Sequence, residues 1–276
     1  MDLDADRLET PRPTYVGSAS LWRLGDARCA PINRSLAEET PIGLGYDGKP
    51  HVVLMATPAD IEDLAIGFTL TERIAVLADI EAVAVEHLAA GASVNITLSR
   101  KGRAGRAAAR LRTMEGRSSC GLCGVQRLTA AVRPLPRVTD SLRLSRKAIQ
   151  AAVSGLDAAQ ALGLETRATH AAGWADAAGR IGLVREDVGR HNALDKLIGA
   201  GARAGLSTDG AFAIITSRCS YEMVEKAAMA GFELLVAVSA PTALAIRKAE
   251  EAGITLIALA RADGHMVFSG EHRLIN

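Results

Sequence analysis

Two pairs of short apolar runs, each pair separated by turn residues, fill the first hundred positions of the chain. The runs at 40–46 and 51–56 flank Asp47 and Gly48, a dipeptide typical of a tight hairpin turn. The runs at 82–87 and 93–99 lie on either side of Ala89-Ala90-Gly91 in the same way. The pattern therefore predicts two β-hairpins, the second ending near Arg100.

The segment between these hairpins has the spacing of an amphipathic helix. Apolar residues at 61, 64, 65, 68 and 70 would form one face of that helix. We expect Thr57 to be its N-cap and Pro58 its first helical residue. The N-terminal part is thus predicted to be a small α+β unit with the order β-β-α-β-β.

From residue 145 onwards helical and strand patterns alternate. Helices are predicted at 145–161, 191–202, 221–230 and 241–251, and strands at 169–176, 180–185, 211–216, 234–239, 254–260 and 266–268. Ser145 is expected to cap the first helix, and the first two strands are expected to form a hairpin. Such alternation is typical of an α/β sheet with helices packed on it.

Ligands of open α/β sheets bind beyond the carboxyl ends of the strands. The predicted strand ends offer hydroxyls, arginines and free backbone amides, a set suited to a phosphate-bearing ligand. They are Ser217-Arg218-Cys219-Ser220, Ser239-Ala240-Pro241-Thr242 and Arg261-Ala262-Asp263-Gly264. Simple N-capping by Ser220 is an alternative explanation for the first of them, and Cys219 is expected to be a packed or partly exposed thiol rather than a second nucleophile.

The composition excludes several classes of protein. A net charge of +1 with 49% hydrophobic residues indicates a globular chain with no overall attraction to nucleic acid or to an anionic membrane. The N-terminus lacks the pattern of a signal peptide, and no apolar run approaches the roughly 20 residues that span a bilayer. We therefore expect a cytoplasmic protein without membrane contact, whose four cysteines indicate redox, metal or sulfur chemistry.

Cys120 and Cys123 form a Cys-x-x-Cys pair flanked and separated by glycines. The preceding stretch 100–117 carries seven basic residues and one acid, and residues 125–132 are predicted to be helical. Nearby cations and a helix N-terminus both favour the thiolate, which is the nucleophilic form of cysteine. The basic stretch lacks interleaved aromatic residues, which disfavours a nucleic-acid arm.

Four interpretations of the pair remain open. Buried small residues are disfavoured by the glycine-rich flanks. Zinc would need two further ligands, whereas Cys29 and Cys219 stand alone, so no metal is expected. A thioredoxin-type centre would follow a strand. The favoured hypothesis is a mobile loop with a nucleophilic cysteine that accepts a group and passes it on.

A second polar cluster lies at a predicted strand-to-helix junction. It contains Glu186, Asp187, Arg190, His191 and Asn192. Helix capping by Asp187 or Asn192 explains part of this cluster, and a solvated face would explain the neighbouring residues 195 and 196. Capping does not explain why all five polar residues fall together. His170, in an alanine-rich strand, is expected to be a structural histidine.

Several long motifs resemble one known family, the FdhD family of formate dehydrogenase accessory sulfurtransferases. The resemblance runs from about residue 38 to about residue 268. The motifs that carry it are 39–42, 55–58, 63–68, Ser119 to Gly124, Glu186 to Lys196, Ser220 to Ala227 and Ser239 to Thr242.

The resemblance implies a sulfur relay. A cysteine desulfurase would supply sulfur to Cys120 as a persulfide, and Cys123 would assist the transfer or resolve the persulfide. The sulfur would pass to a molybdenum (or tungsten) bis(molybdopterin guanine dinucleotide), which is then inserted into the catalytic subunit of formate dehydrogenase. That cofactor is a bound substrate, and no permanent cofactor is implied. A non-catalytic chaperone that binds and delivers the cofactor is the alternative.

The resemblance also implies the fold and the cofactor site. The C-terminal part would be a three-layer α/β domain like that of the cytidine deaminases, although the deaminase zinc signature is absent. The protein would be a homodimer. We predict an organisation of 1–14 as a disordered tail, 15–112 as the α+β domain, 113–140 as the Cys-x-x-Cys loop and linker, and 141–276 as the α/β domain.

The cofactor site implied by the resemblance includes the segment from Leu259 to Gly264, whose first residue is usually aromatic in the family. Its residues here are Leu259, Ala260, Arg261, Ala262, Asp263 and Gly264. From the strand ends and the polar cluster we add Ser217, Arg218, Ser220, Ser239, Thr242, Asp187, Arg190, His191 and Asn192.

Overall fold

The structure is a computed structural model, and it describes residues 12–25, 28–109 and 132–275. The strands are β1 Thr14–Leu21, β2 Ala30–Ala37, β3 Thr40–Tyr46, β4 Lys49–Ala56, β5 Ile80–Leu88, β6 Gly91–Leu98, β7 Leu144–Ser145, β8 His170–Asp176, β9 Ile181–Asp187, β10 Ala211–Ile215, β11 Leu234–Ala237, β12 Thr255–Arg261, β13 Gly264–Ser269 and β14 Leu274–Ile275. The helices are α1 Ile61–Thr71, α2 Arg100–Ala109, α3 Arg146–Ala159, α4 Ala161–Thr166, α5 Arg190–Arg203, α6 Tyr221–Ala230 and α7 Ala243–Ala252.

The N-terminal unit contains both predicted hairpins. They form a four-stranded sheet in the order β4-β3-β6-β5, in which β3 and β6 run parallel. Asp47 and Gly48 have φ values of 51° and 75°, the left-handed pair that a tight hairpin turn requires. The sheet packs its apolar face on α1, so the predicted β-β-α-β-β order is confirmed.

The predicted start of α1 is wrong. The helix begins at Ile61, because the preceding Asp60 is left-handed at φ 52°. Thr57 does not cap it. Its hydroxyl accepts a hydrogen bond from the Val188 amide at 3.1 Å, and its own amide donates to Asp187 at 3.0 Å. Contacts with the second half of the chain therefore use the polar groups that would otherwise cap the helix.

Helix α2, which lies within the basic stretch 100–117, was not predicted from the sequence. Its sequence signal is Ser99, whose hydroxyl accepts a hydrogen bond from the Gly102 amide at 3.0 Å in the manner of an N-cap. Residues 110–131 lie outside the described part of the chain, and so do Cys120, Cys123 and all but the last residue of the helix predicted at 125–132. The domain boundaries predicted at 112 and 113 fall there and stay predictions.

The second half of the chain forms a six-stranded sheet in the order β13-β12-β11-β10-β8-β9. Helices α5, α6 and α7 pack on one face, with buried contacts from residues such as Leu197, Val224 and Ala249. Helix α3 packs on the other face through residues such as Ile149 and Leu156. The three-layer α/β architecture predicted for this half is therefore confirmed, with Ser145 capping α3 as expected.

The two sheets are joined through a close crossing of α1 and α5. A β-carbon added at Gly67 would lie 1.7 Å from the Asp195 carbonyl oxygen, and one added at Gly199 would lie 1.9 Å from the Asp63 carbonyl oxygen. Only glycine allows the two backbones to approach so closely. Arg185 and Arg203 both donate to the buried Asp63 carboxylate beside this crossing, at 2.8 and 2.7 Å. The second half of α5 is thereby held against the N-terminal unit.

Candidate functional site

One edge of the six-stranded sheet brings the predicted site segments together. Strands β9, β10, β11 and β12 end at this edge, while the antiparallel strands β8 and β13 begin there. The loops that follow the strands are bonded to one another. The backbones of Cys219 and Pro241 form an isolated parallel β-bridge, and the Leu259 amide donates to the Ser239 carbonyl at 3.2 Å. The expected grouping of strand ends is therefore present.

Leu259 occupies a distorted position at this edge. Its φ of 52° is left-handed, and it lies within a β-bulge between Ala258 and Arg261. Its side chain is 37% exposed. A left-handed backbone is unfavourable for a leucine, and strain of this kind clusters at functional sites. The bulge presents an apolar side chain at this edge of the sheet.

A groove of about 610 Å³ opens beside Gly264, at the start of β13. Arg146 and Lys147 from the first turn of α3 line it, together with His265. Basic residues in the first turn oppose the helix dipole, so a bound anion would relieve an unfavourable arrangement. A larger groove of about 1070 Å³ lies on the N-terminal sheet along β4 and is bordered mainly by aliphatic and backbone groups.

The polar cluster at the end of β9 is largely buried. Asp187 has no exposed surface; it pairs with Lys196 at 2.6 Å and accepts hydrogen bonds from the Thr57 and Gly189 amides. Asn192 donates to Asp187 and to the Met55 carbonyl. These contacts fix the start of α5. Asp187 and Asn192 therefore stabilise this edge of the sheet from buried positions. Their predicted contact with cofactor stays a prediction.

Glu186 is also used within the protein. Its carboxylate accepts from the amides of Leu162 and Gly163 at 2.9 and 2.7 Å, at the start of α4. His191 hydrogen-bonds Glu222 on α6 at 2.9 Å, and Ser220 donates to the same carboxylate at 3.2 Å. This pairing connects the first turns of α5 and α6 at the sheet edge.

The remaining predicted residues differ in accessibility. Arg218, Thr242, Arg261, Ala262 and Asp263 are exposed, Ser239 is half-buried, and Ser217 and Ala260 are buried. Thr242 caps α7 by accepting from the Ala245 amide at 3.2 Å. Ser220 occupies the N-cap position of α6 without a side-chain cap bond, so capping does not explain its hydroxyl.

Cys219 is a packed thiol, as expected. It has no exposed surface, and burial raises its pKa to about 12. A thiol of that kind stays protonated at neutral pH and is a poor nucleophile. Cys29 is exposed.

The chain that follows the cysteine motif returns beside this edge. Arg73 donates to the Pro134 carbonyl at 2.9 Å, and Lys248 donates to the Arg133 carbonyl at 3.3 Å. Burial and the Glu225 carboxylate raise the pKa of Tyr221, an effect that the nearby Arg133 guanidinium opposes. Tyr221 directly follows the 217–220 turn. The Cys-x-x-Cys motif is therefore connected, through about a dozen residues of chain, to a segment that lies next to the predicted site.

The fold and this edge define a three-layer α/β protein with a cationic, amide-rich site at its strand ends. Residues 37–275 match the FdhD/NarQ family. The chain is 48% identical to the sulfur carrier protein FdhD of Xanthomonas campestris pv. campestris (strain B100) over 95% of its own length and 94% of that protein. It is 43% identical to the protein of the same name from Bordetella petrii over 98% of both chains. This chain therefore belongs to the FdhD/NarQ family.

A solved structure shares the fold. It is a candidate formate dehydrogenase accessory protein from Desulfotalea psychrophila, with a TM-score of 0.75, 22% identity and coverage of 95% of this chain and 99% of that one. Within the described ranges, no helix has both the length and the apolar character needed to cross a membrane.

Proposed function

We propose that this protein is a cytoplasmic sulfur carrier that sulfurates the bis(molybdopterin guanine dinucleotide) cofactor of formate dehydrogenase. Family membership across residues 37–275 is the observation that carries the proposal, because the curated relatives named above are sulfur carrier proteins. The chain also has the Cys-x-x-Cys pair that such chemistry needs, at Cys120 and Cys123.

The first step is a sulfur exchange. The Cys120 thiolate attacks the terminal sulfur of a persulfide on a cysteine desulfurase. A new sulfur–sulfur bond forms on Cys120 while the desulfurase sulfur–sulfur bond breaks, and the desulfurase thiolate leaves with that electron pair. No external oxidant or reductant is consumed. The basic stretch before the pair favours the attacking thiolate.

The second step releases the sulfur to the substrate. The Cys123 thiolate attacks the inner sulfur of the Cys120 persulfide, which forms a Cys120–Cys123 disulfide. The terminal sulfur leaves at the sulfide level and binds the metal of the substrate. A cellular dithiol then reduces the disulfide, which accounts for the two electrons and restores the carrier.

The sheet edge supports the predicted binding of the guanine dinucleotide. Exposed Arg218 and Arg261, the bulge at Leu259 and the basic groove beside Gly264 suit a ligand with phosphates and a flat ring. The anchoring of residues 133 and 134 supports transfer at this edge, because it limits how far the cysteines can lie from it.

The test is mass spectrometry after incubation with a cysteine desulfurase and cysteine. We expect wild-type protein to gain one sulfur at Cys120, and Cys120→Ala to gain none and to fail to activate formate dehydrogenase. Cys219→Ala is the matched control, since its buried thiol should not matter. Full activation by Cys120→Ala would refute the relay, and cofactor delivery without any persulfide would identify a chaperone.

The proposed partners are the desulfurase and the catalytic subunit of formate dehydrogenase, and the proposed assembly is a homodimer. Size-exclusion chromatography with light scattering tests the assembly: a mass near twice 28.9 kDa is expected, and a monomer would contradict it.

A further inference from the structure

His170 lies at this edge of the sheet, on the strand between β10 and β9, with Arg190 and Arg218 among its charged neighbours. It begins β8 and is paired in register with Asp187 on β9. On its other side, the Ala171 amide donates to the Thr216 hydroxyl at 2.9 Å, so continuing the register places His170 opposite Ser217. The imidazole is half-buried. It therefore stands between the end of β10 and the start of α5.

The groups around this imidazole are mainly cationic. Burial and the neighbouring Arg190, His191 and Arg218 lower the pKa of His170, and Asp187 acts in the opposite direction. The Asp187 charge is already matched by Lys196 at 2.6 Å, and His191 is paired with Glu222. Histidine at this position is thus held neutral among positive charges.

The two arginines lack acidic partners. Among the described residues, neither Arg190 nor Arg218 forms an ion pair, and the Arg190 Nε is buried without a hydrogen-bond partner. Arg218 is exposed, whereas Arg190 is half-buried, and the other buried or half-buried arginines of the described ranges have acidic partners, as Arg185 has Asp63. Two unmatched arginines and a neutral imidazole on three adjacent elements form a site complementary to an anion with several oxygens.

We propose that His170, Arg190 and Arg218 form a phosphate-binding site at the end of β10, where His170 takes up a proton as a phosphate or diphosphate group binds. The anion reverses the local charge, so the imidazolium becomes the favoured form and donates an additional hydrogen bond to the ligand. The natural ligand of this site would be a diphosphate-bearing cofactor. Only this identity of the ligand rests on the proposed function.

Proton uptake fixes the direction of the pH dependence. In the free protein His170 is neutral near pH 7, whereas in the complex it is charged. Affinity for the anion therefore rises as the pH falls from about 7.5 towards 6, by at most about tenfold per unit for one proton. The arginines stay charged throughout this range.

The experiment uses the full chain and inorganic pyrophosphate, titrated by calorimetry at pH 7.5 in two buffers with different ionisation enthalpies. The difference in binding enthalpy between the two buffers gives the number of protons taken up on binding. Subtracting the number for His170→Gln removes the protons that pyrophosphate itself takes up or releases. We expect wild type to take up a substantial fraction of a proton more than His170→Gln. Arg190→Gln and Arg218→Gln should each weaken binding about tenfold or more.

His87→Gln is the matched control. His87 is also half-buried, but it lies on β5 in the N-terminal sheet, outside this edge and outside the groove beside Gly264. Circular dichroism and thermal unfolding check that each variant folds. Absence of pyrophosphate binding, binding unaffected by the arginine variants, or proton uptake lost in His87→Gln and retained in His170→Gln would each overturn the proposal. Cys120→Ala should bind pyrophosphate like wild type, because the phosphate site does not include Cys120. The binding result is therefore independent of whether the sulfur relay proves correct.

Discussion

Removing the ammonium of Lys196 should destabilise the protein more than any exposed lysine substitution. Lys196 and Asp187 are both fully buried, and their Nζ and Oδ2 atoms lie 2.6 Å apart. Lys196 also donates to the Thr57 carbonyl at 2.9 Å. Lys196→Met retains most of the aliphatic chain while it removes the charge and these donors.

The size of the loss in the free energy of unfolding depends on the state of Asp187 once Lys196 is replaced. Asp187 keeps hydrogen bonds from Thr57, Gly189 and Asn192 but becomes a buried carboxylate without a countercharge. Removing one partner of a buried ion pair typically costs about 3–5 kcal/mol. Because Asp187 also holds the start of α5, we expect Lys196→Met to lose most of this amount from the free energy of unfolding.

Urea unfolding monitored by circular dichroism measures the loss, with the exposed Lys101→Met as control, expected within about 0.5 kcal/mol of wild type. Adding Asp187→Asn to Lys196→Met should cost little or restore stability, since it removes the isolated charge. A loss below about 1 kcal/mol for Lys196→Met, or purely additive effects in the double variant, would refute the argument.

Three further outcomes are expected. Gly199→Ala should lose about 1–3 kcal/mol or more in urea unfolding, because its new β-carbon meets the Asp63 carbonyl of α1, whereas Gly182→Ala has open space and should be nearly neutral. The pKa of Glu233 is lowered from 4.5 to about 2, since hydrogen bonds from Ser141, Thr139 and Leu142 outweigh the opposing effect of burial. Its stabilisation, up to about 3 kcal/mol, should be complete above pH 4.5 and lost as the pH falls towards 2, and a Glu233→Gln variant that retains this acid-dependent loss would contradict the assignment. Leu259→Gly should gain up to about 1 kcal/mol by relieving the left-handed backbone, whereas Leu259→Ala should show no such gain; equal effects of the two substitutions on thermal unfolding would count against strain.

Local signals predicted most of the regular elements. Asp47 and Gly48 specify a turn whose backbone few other residue pairs adopt, so the first hairpin follows from two positions. Helix α6 was predicted with its observed bounds, because Ser220 precedes it and Gly231 ends it in a left-handed conformation. The α/β alternation then specified which strand ends share an edge.

Long-range contacts account for what the sequence did not predict. Thr57 has the side chain of a helix cap, but Val188 and Asp187, 131 and 130 residues away, use its polar groups. Nothing in the local pattern distinguishes these two uses. Lys196 likewise lies in a polar run typical of a solvated helix face, yet it is buried, and its ammonium contacts Thr57 and the end of β9. The role of Asp187 beneath the site could therefore be recognised only from the folded structure.

The distribution of paired and unpaired charges connects the fold to its function. The most deeply buried cations are matched: Lys196 with Asp187, Lys226 with Asp195, and Arg273 with Glu233. Burial lowers the pKa of Lys226, but the surrounding carboxylates outweigh burial and raise it to about 12. Among the buried and half-buried arginines of the described ranges, Arg190 lacks an acidic partner, and its Nε is buried without a hydrogen-bond partner. Arg190 lies at the carboxyl ends of the strands, so the anion proposed to bind at this edge would supply the negative charge that the protein itself does not provide there.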